Sequence, residues 1–312
     1  MSAPNVAAIV LSYNGKDVTL KALPSLLAMT YPSFDVVVAD NGSTDGTREA
    51  VAAAFPEVIQ VRSEENLGPA GGLNLGIDYA MERDYDYLLI LNNDVEAHPE
   101  MLTELVKVAE SDPTIGSVGP KAYYYWDRER IWSAGGRIRF REAITRERGE
   151  GELDRGQYDR DEEIGYTCGC AMLVKRAAVA AVGPMDPAYF LCFEDADFCT
   201  RMKRHGLRCY YAHRAVLWHM VSTSTGGYKP GKTFHSARST AIFVRRHANV
   251  WQWLAALSAI AAALPLAYLR ELRHGNQAAV VAKLRGFWAG FRERLDPPPA
   301  TPAAWARVGD AR

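Results

Sequence analysis

Val36-Val37-Val38-Ala39-Asp40-Asn41-Gly42-Ser43, residues 36–43, is an apolar run that ends on an acid and a turn. Such a run has the length and composition of a strand buried on both faces, as parallel sheets require. The pattern recurs outward from it. Tyr87-Leu88-Leu89-Ile90-Leu91 leads into Asn92-Asn93-Asp94, and Tyr189-Phe190-Leu191-Cys192-Phe193 leads into Glu194-Asp195, with His219 downstream. Polar residues at strand ends lie where open α/β sheets bind ligands. Carboxylates and a histidine gathered there suit a nucleotide, a divalent cation and a general base.

The flanking segments alternate between two periods. Val6 to Leu11 reads as a buried strand, with Ser12-Tyr13-Asn14-Gly15 as the turn leaving it. Asp17 to Ala28 has helical spacing, with Leu20, Leu23, Leu26 and Leu27 on one face. Asp35 to Ala39 is a second strand and Thr44 to Phe55 a second helix, capped by Ser43 or Thr44. Val58 to Arg62 predicts a third strand, Gly71 to Glu82 a helix, and Tyr87 to Leu91 a fourth strand. This alternation predicts an α/β fold with a mostly parallel, doubly wound sheet.

The middle is less regular. Pro99 to Glu110 reads as helix, and Gly116 to Tyr125 and Trp132 to Phe140 as extended chain. Glu142 to Glu163, charged and interrupted by glycine, predicts a mobile loop or long hairpin. Tyr166 to Val174 returns to strand, Arg176 to Val182 and Asp195 to His205 to helix, and Arg208 to Ala212 and Val216 to His219 to two short strands.

Composition bounds the function. The 312 residues carry 36 basic and 37 acidic side chains, so no net field recruits nucleic acid. Five cysteines lack the spacing of a zinc knuckle or a disulfide framework, which suits reduced core thiols in a cytosolic protein. The N-terminus enters a strand pattern at once, so no signal peptide is expected. Val250 to Leu269 has only Gln252 and Ser258 as polar side chains, long enough to span a bilayer. It is nevertheless Ala-rich, contains Pro265, and has basic residues on both flanks. A helix lying in the membrane interface, a span and soluble packing all remain open. Lys283 to Arg294 adds a basic, aromatic amphipathic stretch, and residues from Pro297 onward read as a disordered tail.

Each station has a functional and a plain reading. Tyr13 past a strand end can stack on a nucleobase, and Asp40 can accept from a base N–H; the same residues are ordinary turn formers. Asn66-Leu67-Gly68-Pro69-Ala70-Gly71-Gly72 enters a helix and can present backbone N–H groups to an anion. It is neither a Walker A loop nor a GxGxxG fingerprint. Asp94 offers oxygen to Mg²⁺ or Mn²⁺, or caps the next helix. Glu194-Asp195-Ala196-Asp197 is the strongest local signal, because clustered acids repel and raise a pKa toward that of a base. Acids at a helix N-terminus also match its dipole. Arg201, four residues past Asp197, can pair with it. His219 becomes a credible ligand only beside a carboxylate-held cation.

In order along the chain, Ile9-Val10-Leu11-Ser12-Tyr13-Asn14-Gly15, Val38 to Thr47, Asn66 to Asn74, Leu91-Asn92-Asn93-Asp94-Val95, Phe193 to Arg201 and His219 resemble the family 2 glycosyltransferases of GT-A fold. The likeness is to their bacterial rhamnosyltransferase-like branch, and it covers roughly residues 5 to 247. It implies an inverting, metal-dependent transfer from a nucleoside diphosphate sugar, dTDP- or UDP-linked, to a glycan or lipid-linked acceptor at the inner face of the cell membrane. By the same resemblance Asp195 is the catalytic base, with Glu194 second. Asp94 and His219 hold Mg²⁺ or Mn²⁺, Asp40 reads the base and Tyr13 stacks on it. Ser12, Asn14, Asn41, Asn66, Gly71, Asn74 and Asn93 complete the donor site. The implied organisation is a GT-A domain over 1–247, an apolar helical extension over 248–296 and a tail over 297–312.

The chain departs from the family's pattern in two places. Asn92 stands where the metal motif has its first acid. The Gln/Arg-x-x-Arg-Trp motif of processive members is missing, since His235-Ser236-Ala237-Arg238-Ser239 has no tryptophan, which implies addition of one or a few sugars. The alternatives are a sugar-phosphate nucleotidyltransferase, which needs a basic glycine-rich loop near the N-terminus that this chain lacks, and a nucleotide-sugar-binding scaffold without catalysis.

Overall fold

The computed structural model describes residues 3–140, 144–221 and 229–305. Val6–Ser12 (β1), Lys16–Leu27 (α1), Phe34–Asn41 (β2), Thr47–Ala54 (α2), Ile59–Ser63 (β3), Gly68–Met81 (α3) and Tyr87–Asn92 (β4) alternate as their apolar periods require. In β1, Val6 to Val10 are fully buried, because helices cover both faces of the sheet. The strands β1 and β2, β2 and β3, and β1 and β4 pair in parallel. β2 and β4 flank β1 on opposite sides, so the crevice beyond their carboxyl ends is a topological switch point.

The second half departs from a uniformly parallel sheet. It comprises Val95–Ala97 (β5), Met101–Glu110 (α4), Ile115–Tyr124 (β6), Asp127–Ser133 (β7), Gly136–Ile138 (β8), Thr145–Glu147 (β9) and Glu162–Glu163 (β10). Ala171–Lys175 (β11), Arg176–Val182 (α5), Glu194–Arg204 (α6) and Arg208–His219 (β12) follow. The sheet order is β10-β12-β6-β11-β4-β1-β2-β3, with β5 on β12 and β7 on β6. β11 runs antiparallel to both β4 and β6, whereas β12 is parallel to β6, so the sheet is mixed. The two late strands expected from the sequence are one strand, β12, with a register shift between Ala212 and Val216. Within the charged segment 142–163, β9 pairs with β8 as a short hairpin, while residues 142 and 143 lie outside the described residues. The apolar run Tyr189 to Phe193, before the third acidic station, is a loop.

Three helices close the described chain: Pro230–His247 (α7), Val250–Leu272 (α8) and Gln277–Arg292 (α9). A Cβ on Gly286 would sit 2.2 Å from the Phe234 carbonyl oxygen, and one on Gly290 2.5 Å from that of Arg238. Only glycine lets α9 approach the α7 backbone so closely. α8 begins with a capping box between Asn249 and Gln252, runs through Pro265, and buries only Ala256 and Glu271. It is long and apolar enough to cross a membrane by length and composition. Within residues 297–305, expected to be disordered, two anchors appear: Trp305 is buried and Thr301 donates to the Ala180 carbonyl at 2.7 Å. Burial of one large aromatic ring offsets the ordering of a short segment. The rest of that expected tail, 306–312, lies outside the described residues.

Candidate active site

The carboxyl ends of β1, β2 and β4 are stitched into one rim by the amides the sequence singled out. The Asn14 side-chain oxygen accepts from the Thr44 N–H at 2.8 Å, and the Asn14 N–H donates to Ser43 Oγ at 3.0 Å. The Asn41 amide donates to Asn66 Oδ1 and the Gly68 carbonyl and accepts from the Leu67 N–H, tying β2 to the glycine-rich turn. Gly71 is buried in the first turn of α3. The Asn93 amide donates to Thr19 Oγ1, which meets Ser12 Oγ at 2.9 Å. Ser12 is fully buried, while Tyr13 is 45% exposed at the rim. Asp40 is fully buried; its Oδ1 accepts from the Ser43 N–H at 2.9 Å and its Oδ2 faces Arg62 at 3.4 Å. Asn74 lies apart from this rim. It makes two bonds to the Met185 backbone, holding α3 to the loop before α6.

Asp94 and His219 meet. β5 pairs with the end of β12, placing Val95 opposite His219. His219 Nε2 then lies 3.1 Å from Asp94 Oδ1, with both residues buried. Trp132 packs edge-on against the imidazole at 4.4 Å. His219 Nδ1 is buried without a partner among the described residues.

The acidic cluster divides by role. Asp197 is fully buried, with Arg201 Nε at 2.8 Å and His247 Nε2 at 2.7 Å. Burial alone would raise its carboxyl, but the His247 hydrogen bond and the Arg201 charge hold it below its ordinary value. Arg201 also donates to the carbonyls of Val182 and Pro184, so this acid locks α6 to the loop after α5. Asp195 accepts from the Gly169 N–H at 2.9 Å and from the Ala196 N–H at 2.7 Å. Burial raises its pKa despite these bonds. Burial, then the Asp195 charge, raises Glu194 as well, and Glu194 Oε2 has no partner among the described residues. Cys192 and Phe193, immediately before the pair, sit at φ of 65° and 74°, a costly region for side chains with a Cβ.

Two stations are adjacent through one turn. The Asn92 N–H donates to the Cys170 carbonyl at 3.2 Å, and the neighbouring Gly169 holds Asp195. A carboxylate the sequence reading did not single out stands on the other side. Glu147 of β9 accepts from Ser133 Oγ and, at 2.5 Å, from the Tyr166 hydroxyl. Burial, aided by the charges of Asp195 and Glu150, pushes its pKa up to about 7. In the sequence Glu147 is one of many charges in an irregular segment, and no local pattern separates it from Glu150 or Glu152.

Comparison with known proteins identifies the family and the fold. The family model for glycosyl transferase family 2 matches residues 7–183. The N-acetylglucosaminyl-diphospho-decaprenol L-rhamnosyltransferase of Mycobacterium tuberculosis is 28% identical over 256 residues, covering 74% of this chain and 81% of that one. The poly-beta-1,6-N-acetyl-D-glucosamine synthase of Staphylococcus aureus is 25% identical over 232 residues, covering 70% of this chain and 50% of that one. Among solved structures, the mannosyltransferase of Pyrobaculum calidifontis superposes with a TM-score of 0.59 at 19% identity, covering 94% of this chain and 88% of that one. The TarS protein of S. aureus gives 0.55 at 17% identity, covering 82% and 43%. The fold is that of the GT-A glycosyltransferases, and this chain, an enzyme homologous to rhamnosyltransferases, belongs to glycosyl transferase family 2.

Proposed function

We propose that this enzyme moves a sugar, by a single inverting displacement and without processive elongation, from a nucleoside diphosphate donor to a hydroxyl of a lipid-linked or cell-envelope glycan. The observation that carries this reading is the Glu194–Asp195 pair: proton-affine carboxylates at the start of α6, directly after a strained loop, with Asp195 held by the Gly169 N–H at 2.9 Å. A base needs that orientation and a pKa near working pH. Asp195 takes the proton from the acceptor hydroxyl as the hydroxyl oxygen attacks the anomeric carbon and the diphosphate leaves, while the raised pKa of Glu194 keeps that neighbour protonated and leaves Asp195 as the base.

Asp94 and His219 supply one oxygen and one nitrogen donor side by side, a set that fits Mg²⁺ or Mn²⁺ completed by substrate phosphates. A cation held by these two residues would supply positive charge to the departing diphosphate. The P. calidifontis neighbour is described in complex with GDP-Man and Mn²⁺, which supports a cation and a nucleotide sugar here. Tyr13 stacks on the base, Asp40 reads it, and the rim of Ser12, Asn14, Asn41, Asn66, Gly71 and Asn93 shapes the donor pocket, braced from behind by Asn74. A dTDP-linked rhamnose is the first donor to test, given the M. tuberculosis relative, with UDP sugars next. The catalytic domain runs over 1–247 and α8 and α9 lie at the cytoplasmic face of the membrane.

A thermal-shift and calorimetric screen of dTDP, UDP, GDP and their sugars, with and without Mn²⁺ or Mg²⁺, tests the reading. The expected result is a metal-dependent shift for one diphosphate that Asp94→Ala abolishes. Metal-independent binding of every nucleotide, unchanged in Asp94→Ala, would overturn the metal assignment.

A further inference from the structure

α7, α8 and α9 enclose a groove of about 560 Å³, within the range of small-molecule sites. Its α8 wall carries Ala256, Ala259, Ala263 and Ala267, and its α9 wall Phe287 and Lys283. The alanines recur every three or four residues along one stripe of α8, and Ile260 and Leu264 of the same helix add apolar bulk to that wall. Trp251 and Leu266 of α8, outside the groove, are 79% and 68% exposed. At its other side the groove is bounded by Phe193, the residue directly before Glu194 and Asp195. The apolar channel therefore shares a wall with the loop that holds the base.

Lys283 is its charged feature. It is half-buried and has no hydrogen-bond or ion-pair partner among the described residues. Burial, then the charge of Arg270, lowers its pKa, so the uncompensated ammonium is costly there. An anion beside it would relieve both effects. An occupant with an apolar chain and a phosphate-bearing head satisfies the whole groove.

We propose that this groove is the acceptor-lipid site: the apolar chain of a polyprenyl-type phosphate lies along the alanine stripe of α8, and its phosphate meets Lys283. The inference rests on the glycosyltransferase reading above and adds where the lipid part of the acceptor binds. An acceptor so held has its glycan carried toward the Phe193 wall and the carboxylates beyond it.

The test uses the purified full chain and a diazirine-bearing farnesyl diphosphate as the probe. Photolabelling is expected on peptides containing 256–267 and 283–287. Ala263 is exposed although it lines the groove, so Ala263→Trp fills the channel without displacing core. That variant should lose labelling at least tenfold while donor hydrolysis and the donor-induced thermal shift persist. Lys283→Gln should weaken farnesyl diphosphate roughly tenfold and leave farnesol unchanged, a charge-assisted contact being worth about that factor. Labelling that survives Ala263→Trp would mean adhesion to the outer face of α8 and overturn the proposal. So would equal competition by phosphatidylglycerol, which would make a bilayer lipid the occupant. Groove-specific labelling in a protein that hydrolyses no nucleotide sugar would sink the enzymatic reading and leave the lipid site standing; the reverse pattern would do the opposite.

Discussion

Cys192 and Phe193 each hold a left-handed backbone conformation, at a cost of about 1–3 kcal/mol apiece, directly before the proposed catalytic pair. They lead directly into the first turn of α6, where Asp195 meets the Gly169 N–H. Asp195→Asn can keep one of the two backbone hydrogen bonds but removes the base, so transfer should fall about 10²–10⁴-fold while donor binding is retained. Steady-state transfer beside a donor thermal shift checks this, and unimpaired transfer by the folded variant would refute the base assignment. Glu194 gives a second prediction. Its folded pKa is raised to about 8 by burial and then by Asp195. The folded state then holds a proton that the unfolded carboxyl releases near ~4.3, so stability falls as pH rises from that value toward 8. Glu194→Gln should flatten the decline in Tm over that window. Parallel declines in both proteins would show that Glu194 ionises normally.

At the scale of elements, α6 is fixed by a device whose first half is written locally. Asp197 and Arg201 are four apart on one helix, and the expected pair is present at 2.8 Å. His247, fifty residues on at the end of α7, is a partner no local pattern announces. Asp197→Ala strands a buried Arg201 and should cost about 3–5 kcal/mol in denaturant unfolding. With the folded carboxyl below its ordinary pKa, the pair's stabilisation is present above pH ~3.9 and is lost as pH falls through the lowered value. A loss under 1 kcal/mol would mean that solvent already screens the pair. α7 braces the same region: Arg238 donates to the Ala188 carbonyl, Ser239 to that of Leu191, and Arg246 pairs with Asp186 at 2.8 Å. The segment that lacks the processive motif is thus the buttress of the loop before α6.

For the whole molecule, the sheet and the terminal helices present different surfaces. α8 buries two residues of its 23 and leaves Trp251, Leu254, Leu266 and Leu269 exposed. A contiguous apolar face of that kind marks an interaction surface. Sedimentation with anionic vesicles should bind the wild-type chain, and Trp251→Glu with Leu266→Glu should weaken binding at least tenfold, since each buried large apolar side chain contributes about 1.5–3 kcal/mol. Vesicle binding unchanged in that double variant would exclude this face as the contact. The strands β1, β2 and β4, and the carboxylate stations at the ends of β2 and β4, were legible in the sequence, because buried parallel strands are continuous apolar runs and turns need particular residues. The same local chemistry identified the Asp197–Arg201 pair and the apolar length of α8. The antiparallel β11, the bulged unity of β12, the docking of Trp305 and the approach of Glu147 to the Asp195 field depended on tertiary structure. These contacts join residues far apart in the chain. Only closure of the whole sheet decides which distant partner, and which share of burial, each side chain receives.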